Sequence, residues 1–77
     1  MLDRKTVEVL KYIKKHPDIT LSALYTQFGE SAIDSAKKLT EEEFVKEYIA
    51  RTVGIPELEL YHYTITIDGN AFLESIL

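Results

Sequence analysis

Two histidines, five tyrosines, three glycines and a run of three glutamates are the groups whose spacing invites a chemical reading. His16 and His62 fall on different elements, and no ligand spacing links them into a metal site. Glu41, Glu42 and Glu43 are consecutive, whereas a calcium loop alternates its oxygen ligands with other residues. The glycines are scattered, so no phosphate cradle is encoded. With no cysteine there is no thiol nucleophile, disulfide or thiolate metal site. Tyr12, Tyr25, Tyr48, Tyr61 and Tyr63 have the look of a base-stacking set, but they fall at core spacing or in strands and read as core or core rim. Asp68 and Asn70 flank a turn and have local backbone reasons to stand there. The chain is not read as an enzyme; no catalytic residue, cofactor or metal is expected.

What remains is charge. The formal net charge is −4 and it is unevenly spread. Residues 1–20 carry Arg4, Lys5, Lys11, Lys14 and Lys15 against Asp3, Glu8 and Asp18, a net of +2. Residues 30–47 and 48–77 each sum to −3. Phosphate backbones attract basic faces, so the front end alone offers a duplex anything. At 77 residues and 45% hydrophobic the chain reads as one globular domain, 1–77, near the lower size for a single core. No apolar run is long enough to cross a bilayer and no signal peptide is visible. The expected setting is the cytoplasm.

The elements that must position these groups follow from periodicity. Thr6, Val9, Leu10 and Ile13 form one stripe of a helix over residues 3–16, which His16-Pro17-Asp18 stops. Lys14 and Lys15 suit the negative end of its dipole. Thr20 is the N-cap of a second helix, with Ile19 and Leu24 in the places of a hydrophobic staple. Leu21, Leu24, Tyr25 and Phe28 supply its buried face, and Gly29 stands where a left-handed residue ends it. Ser31 then caps a third helix, with Asp34 as a weaker capping-box partner. Residues 40–52 read as helix or strand. Leu58 to Ile67 is the clearest strand, and a strand needs a partner, so Phe44 to Thr52 is expected to pair with it through Val53-Gly54-Ile55-Pro56. Asp68-Gly69 ends that hairpin and Asn70 to Leu77 forms a short last helix.

Two stretches together, Thr20-Leu-Ser-Ala-Leu-Tyr-Thr-Gln-Phe-Gly and Tyr63-Thr-Ile-Thr-Ile-Asp-Gly-Asn-Ala-Phe-Leu-Glu, resemble the winged helix-turn-helix superfamily, in which a strand running into T-x-x-G-x-x-hydrophobic-L closes the wing and starts the last helix. Ala32, Ala36, Leu39 and Phe44 fit the third-helix spacing of that family. The glycine usual just before the strand is replaced by Glu43. The resemblance implies an α+β fold: a three-helix core, a two-stranded wing and a short C-terminal helix. It covers nearly the whole chain with short, tolerant motifs. The family includes many bacterial and phage transcriptional regulators, as well as domains that use the fold only for protein contacts.

The resemblance further implies a double-stranded DNA partner, with the helix at about residues 31–40 in the major groove. The outward set is then Ser31, Ile33, Asp34, Ser35, Lys37 and Lys38. Supporting contacts fall to Arg4 and Lys5, to Thr20 and Ser22 at the start of the second helix, and to Arg51 and Thr52 in the wing. Glu30 and Glu41 to Glu43 bracket the third helix with charge that phosphate repels. The alternative is a protein-interaction module, dimerising or antagonist-like. Ile33 is an aliphatic on the DNA-facing helix; Leu58 and Leu60 are out of phase with Tyr61, Tyr63, Ile65 and Ile67; and Phe72, Leu73, Ile76 and Leu77 crowd the last six residues, as at a homodimer interface.

Overall fold

The computed structural model describes residues 2–50 and 54–76. The first helix, α1 (Arg4–Lys15), is capped by Asp3, whose carboxylate accepts the Thr6 N–H at 2.7 Å. Its expected stripe, Thr6, Val9, Leu10 and Ile13, is buried in full. A two-residue strand, β1 (Ile19–Thr20), leads into α2 (Leu21–Phe28). Thr20 caps α2 as expected, accepting from Ala23 N–H at 3.1 Å, and Ile19 and Leu24 are both buried. Gly29, at φ 78°, turns the chain into α3 (Ser31–Glu41).

At its start α3 departs from the sequence expectation. Ser31 does not cap α3: Glu30 is already helical and no side chain caps that end. The Ser31 hydroxyl instead donates back to the Phe28 carbonyl at 3.1 Å, satisfying the C-terminal end of α2. At the end of α3, the turn with Glu43 in the glycine's place keeps its form. The last turn closes by Glu43 N–H to Thr40 O (3.1 Å) and Phe44 N–H to Leu39 O (3.0 Å), the Schellman pattern, with Glu43 left-handed at φ 62°. The missing glycine is thus replaced by a strained glutamate in the same turn.

Strand β2 (Val45–Ile49) pairs antiparallel with β3 (Tyr61–Ile65), and β3 pairs with β1, giving the order β1-β3-β2. The hairpin matches the expectation; the third strand adds to it, because two residues carry no period. Ile19 and Glu47 lie opposite Tyr63 on its two sides, and Val45 opposite Ile65. Leu58 and Leu60 do not extend β3. They belong to a single helical turn, α4 (Glu57–Leu60), which explains the break in alternation at Tyr61. The expected strand residues Arg51 and Thr52, with Val53, lie outside the described residues.

The last helix, α5 (Ile67–Ile76), starts three residues before the expected Asn70. Thr66 is its cap: its hydroxyl accepts Gly69 N–H at 3.0 Å and donates to the Glu43 carbonyl at 2.7 Å. Gly69 is therefore a buried residue within the first turn and not a turn glycine, because the Phe44 carbonyl packs where its Cβ would be. Phe44 and Phe72 stack at 4.8 Å across this joint. The core between helices and sheet is built from Val9, Leu10, Ile13, Leu24, Leu39, Val45, Tyr63 and Leu73.

Candidate nucleic-acid interface

Helix α3 is positioned by its small residues. Ala32 and Ala36 are fully covered and let the helix approach its neighbours closely, while Leu39 anchors its far end. Ser35, expected to face outward, is buried on the same side, its hydroxyl 3.2 Å from that of Thr6 on α1. The pair joins α1 to α3, so Ser35 is withdrawn from the DNA-facing set. A position i+3 from Ala32 shares its face; that spacing was the available signal.

The open face of α3 then presents Ile33, Asp34, Lys37, Lys38 and Glu41. Arg4 and Lys5 are exposed in the first turn of α1. Hydrogen bonds from Thr6, its hydroxyl first and its N–H second, hold the Asp3 carboxyl below its ordinary range, with smaller help from the charges of Lys38 and Lys5. Thr20 and Ser22 are half-buried at the start of α2, and Thr20 is already engaged as a cap.

Along one edge of this face, α4 and the sheet complete a groove of about 520 Å³ with α3. Its floor includes Leu21, Ile33, Leu58 and Tyr61. Glu41, Glu47, Glu57 and Lys37 stand around it. Glu47 is fixed there by Tyr63, whose hydroxyl donates to Glu47 Oε2 at 2.6 Å. Burial, followed by the hydrogen bond with Glu47 and its charge, pushes the Tyr63 phenol well above its ordinary value, so it remains a donor. Sequence reasoning missed this groove, because α4 hides in what looked like strand.

The interface candidates at the C-terminus separate. Leu73 is 1% exposed and belongs to the core, which removes it from any interface. Phe72 is half-buried on Phe44. Ile76 is 48% exposed and Ile33 42%; Leu77 lies outside the described residues. The tyrosines divide likewise: Tyr63 is buried, Tyr12 and Tyr61 are at the core rim, and Tyr25 and Tyr48 are exposed. Lys11, Lys14 and Lys15 border a second groove floored by Tyr12, Phe28 and Leu73, on the α1–α2 side. Each histidine has a local partner: His16 packs on Tyr12 at 4.3 Å, and His62 Nδ1 is 3.2 Å from the Asp18 carbonyl. No helix among the described residues is long and apolar enough to cross a membrane.

Among solved structures, a point mutant of S. aureus MepR, a winged-helix regulator of the MarR family, matches this architecture with a TM-score of 0.76 at 13% sequence identity. The match covers 96% of this chain and 55% of that one, so the chain spans little more than half the length of its structural neighbour. No protein-family model and no curated protein matches the chain. The fold is a winged helix-turn-helix, α+β, with five helices and a three-stranded antiparallel sheet among the described residues.

Proposed function

We propose that the protein is a small DNA-binding transcriptional regulator, acting in the cytoplasm, that lays α3 in the major groove of a duplex. The observation that carries this reading is the uncovered face of α3, on which Lys37 and Lys38 stand exposed beside Asp34. The lysines are assigned to phosphate or guanine contacts and Asp34 to a cytosine amino group. Arg4 and Lys5 on α1, and Ser22 and Thr20 at the start of α2, supply backbone contacts; Ser31, tied to Phe28, is a minor one. Arg51 and Thr52, which lie outside the described residues, are assigned further backbone contacts. Acids beside the helix hold non-specific affinity low, so useful occupancy needs two copies on one site.

Fluorescence anisotropy with a mixed-sequence duplex, at low and moderate salt, tests the assignment. Wild type is expected to bind with a clear salt dependence. The Lys37→Ala/Lys38→Ala variant should bind more weakly, with a log–log salt slope shallower by about 2. Absence of salt-sensitive binding at tens of micromolar protein would sink the DNA reading.

A second reading, a winged-helix protein-interaction module without DNA binding, is favoured by one observation: three carboxylates stand at the edge of the helix that would enter DNA. In this reading the exposed Ile76 and half-buried Phe72 form a homodimer seam, with Leu77 beside them in the sequence. Sedimentation velocity on wild type and Ile76→Glu tests it. A wild-type dimer that the substitution splits supports it; monomers in both count against it.

A further inference from the structure

The groove between α3 and α4 has a composition that duplex DNA does not explain. Its floor is apolar and open: Ile33 is 42% exposed, and Leu58 and Tyr61 are only half-buried. Among the described residues, its charged lining is Glu41, Glu47 and Glu57 against Lys37. Glu47 is tied to the groove wall by Tyr63, whose hydroxyl donates to its Oε2 at 2.6 Å. Phosphate is repelled by such a rim and has no use for such a floor. An acidic rim around an apolar floor is complementary to one kind of occupant, a segment that carries aliphatic side chains between cations.

We infer that this groove docks a basic, leucine-bearing segment of another protein, with an aliphatic side chain against Ile33, Leu58 and Tyr61 and its Lys or Arg neighbours paired with Glu41 and Glu57. The single turn α4 makes the site. Continuing β3 back through Leu58 and Leu60 would replace the turn that brings Glu57 and Leu58 to the groove. Ile33 and Lys37 line the groove and also belong to the face of α3 assigned to DNA, so the segment and a duplex compete for α3. Peptide docking itself stands or falls without the DNA reading.

The probe is a fluorescein-labelled peptide of Lys-Arg-Leu-Leu repeated three times, titrated by anisotropy with the full chain and no DNA. The control peptide replaces every cation with Glu. Wild type should bind the basic peptide at tens of micromolar, and added salt should weaken binding. Glu41→Lys/Glu57→Lys, both exposed positions, should weaken it at least about tenfold by turning attraction into repulsion. Ile33→Ser, a second variant on a different element, should weaken it several-fold without changing the salt dependence. Lys37→Ala should tighten it, whereas the same change loosens DNA, so the two assignments move in opposite directions. Equal binding of the acidic peptide overturns the inference. So does an unchanged affinity in both the charge-reversal and the Ile33→Ser variants.

Discussion

Replacing Gly69 by Ala sets two expectations against each other. In a helix interior Ala is favoured over Gly by about 1 kcal/mol, so propensity alone predicts a more stable protein. The structure predicts the reverse. A Cβ at residue 69 would collide with the Phe44 carbonyl oxygen and lie 2.8 Å from Ile65 Cγ1 and 3.0 Å from the Phe44 carbonyl carbon. A flexible side chain would move aside, but this carbonyl is backbone and accepts the Thr66 N–H at 3.0 Å. Phe44 is also held by its stacking on Phe72. Relief therefore needs α5 to withdraw from the start of β2, at an overpacking cost of about 3 kcal/mol with roughly 1 kcal/mol more for the weakened hydrogen bond. After the propensity gain, about 3 kcal/mol of destabilisation remains. For a chain of 77 residues that lowers Tm by roughly 12–24 °C. Far-UV circular dichroism melts and urea titrations of the two proteins read it directly. A Gly69→Ala variant that melts at or above wild type would refute the close-approach reasoning.

Glu43→Gly tests the opposite case: removing a left-handed glutamate recovers about 1–2 kcal/mol, while the freer unfolded chain costs about 0.5–1 kcal/mol, for a net Tm gain of about 3–5 °C. A lower Tm in the same melts would contradict it. Ser35→Ala should cost about 1 kcal/mol in urea titrations by removing a buried hydroxyl pair, yet leave the salt slope for DNA unchanged, because Ser35 faces Thr6. A shallower slope would return Ser35 to the DNA-facing set. The Asp3 carboxyl is lowered in the folded state, so its contribution to capping α1 is complete above the ordinary aspartate value and disappears as pH falls through the lowered folded value. The Tm gap between wild type and Asp3→Ala should accordingly be present at pH 7 and shrink in acid; a gap that widens in acid would refute this assignment.

The parts of the fold legible in the sequence were those with a period or a cap. Thr6 to Ile13 repeats at helical spacing, Thr20 precedes Leu21 as an N-cap must, and Tyr61, Tyr63 and Ile65 alternate. The parts that were not legible depend on contacts distant in sequence. β1 exists only because Ile19 and Thr20 meet Tyr63 and His62, more than forty positions later. Ser35 looks like a solvent-facing polar residue until Thr6 is placed opposite it. Leu73 looks like surplus hydrophobicity until the core needs it at 1% exposure. For the interface, residue types told that Ile33, Asp34, Lys37 and Lys38 face water on α3, but not that Ser35 is covered or that α4 would bring Glu57 to the groove that Lys37 lines.

The motif Thr66-Ile-Asp-Gly-Asn-Ala-Phe-Leu73 shows how a short spacing can carry one physical requirement. Thr66 caps α5 and, by donating to the Glu43 carbonyl, ties the start of that helix to the strained turn that ends α3. Gly69 lets the Phe44 carbonyl in, Phe72 stacks on Phe44, and Leu73 closes the core. Each residue serves the same joint, where the end of α3, the start of β2 and the start of α5 meet. The joint fixes where α3 ends and hence where Lys37, Lys38 and Glu41 stand relative to the sheet. Loosening it with Gly69→Ala should therefore weaken both DNA and peptide binding in proportion to the folded fraction lost, whereas Lys37→Ala moves them apart. Proportional loss in one and divergence in the other separates a residue that builds the surface from one that belongs to it.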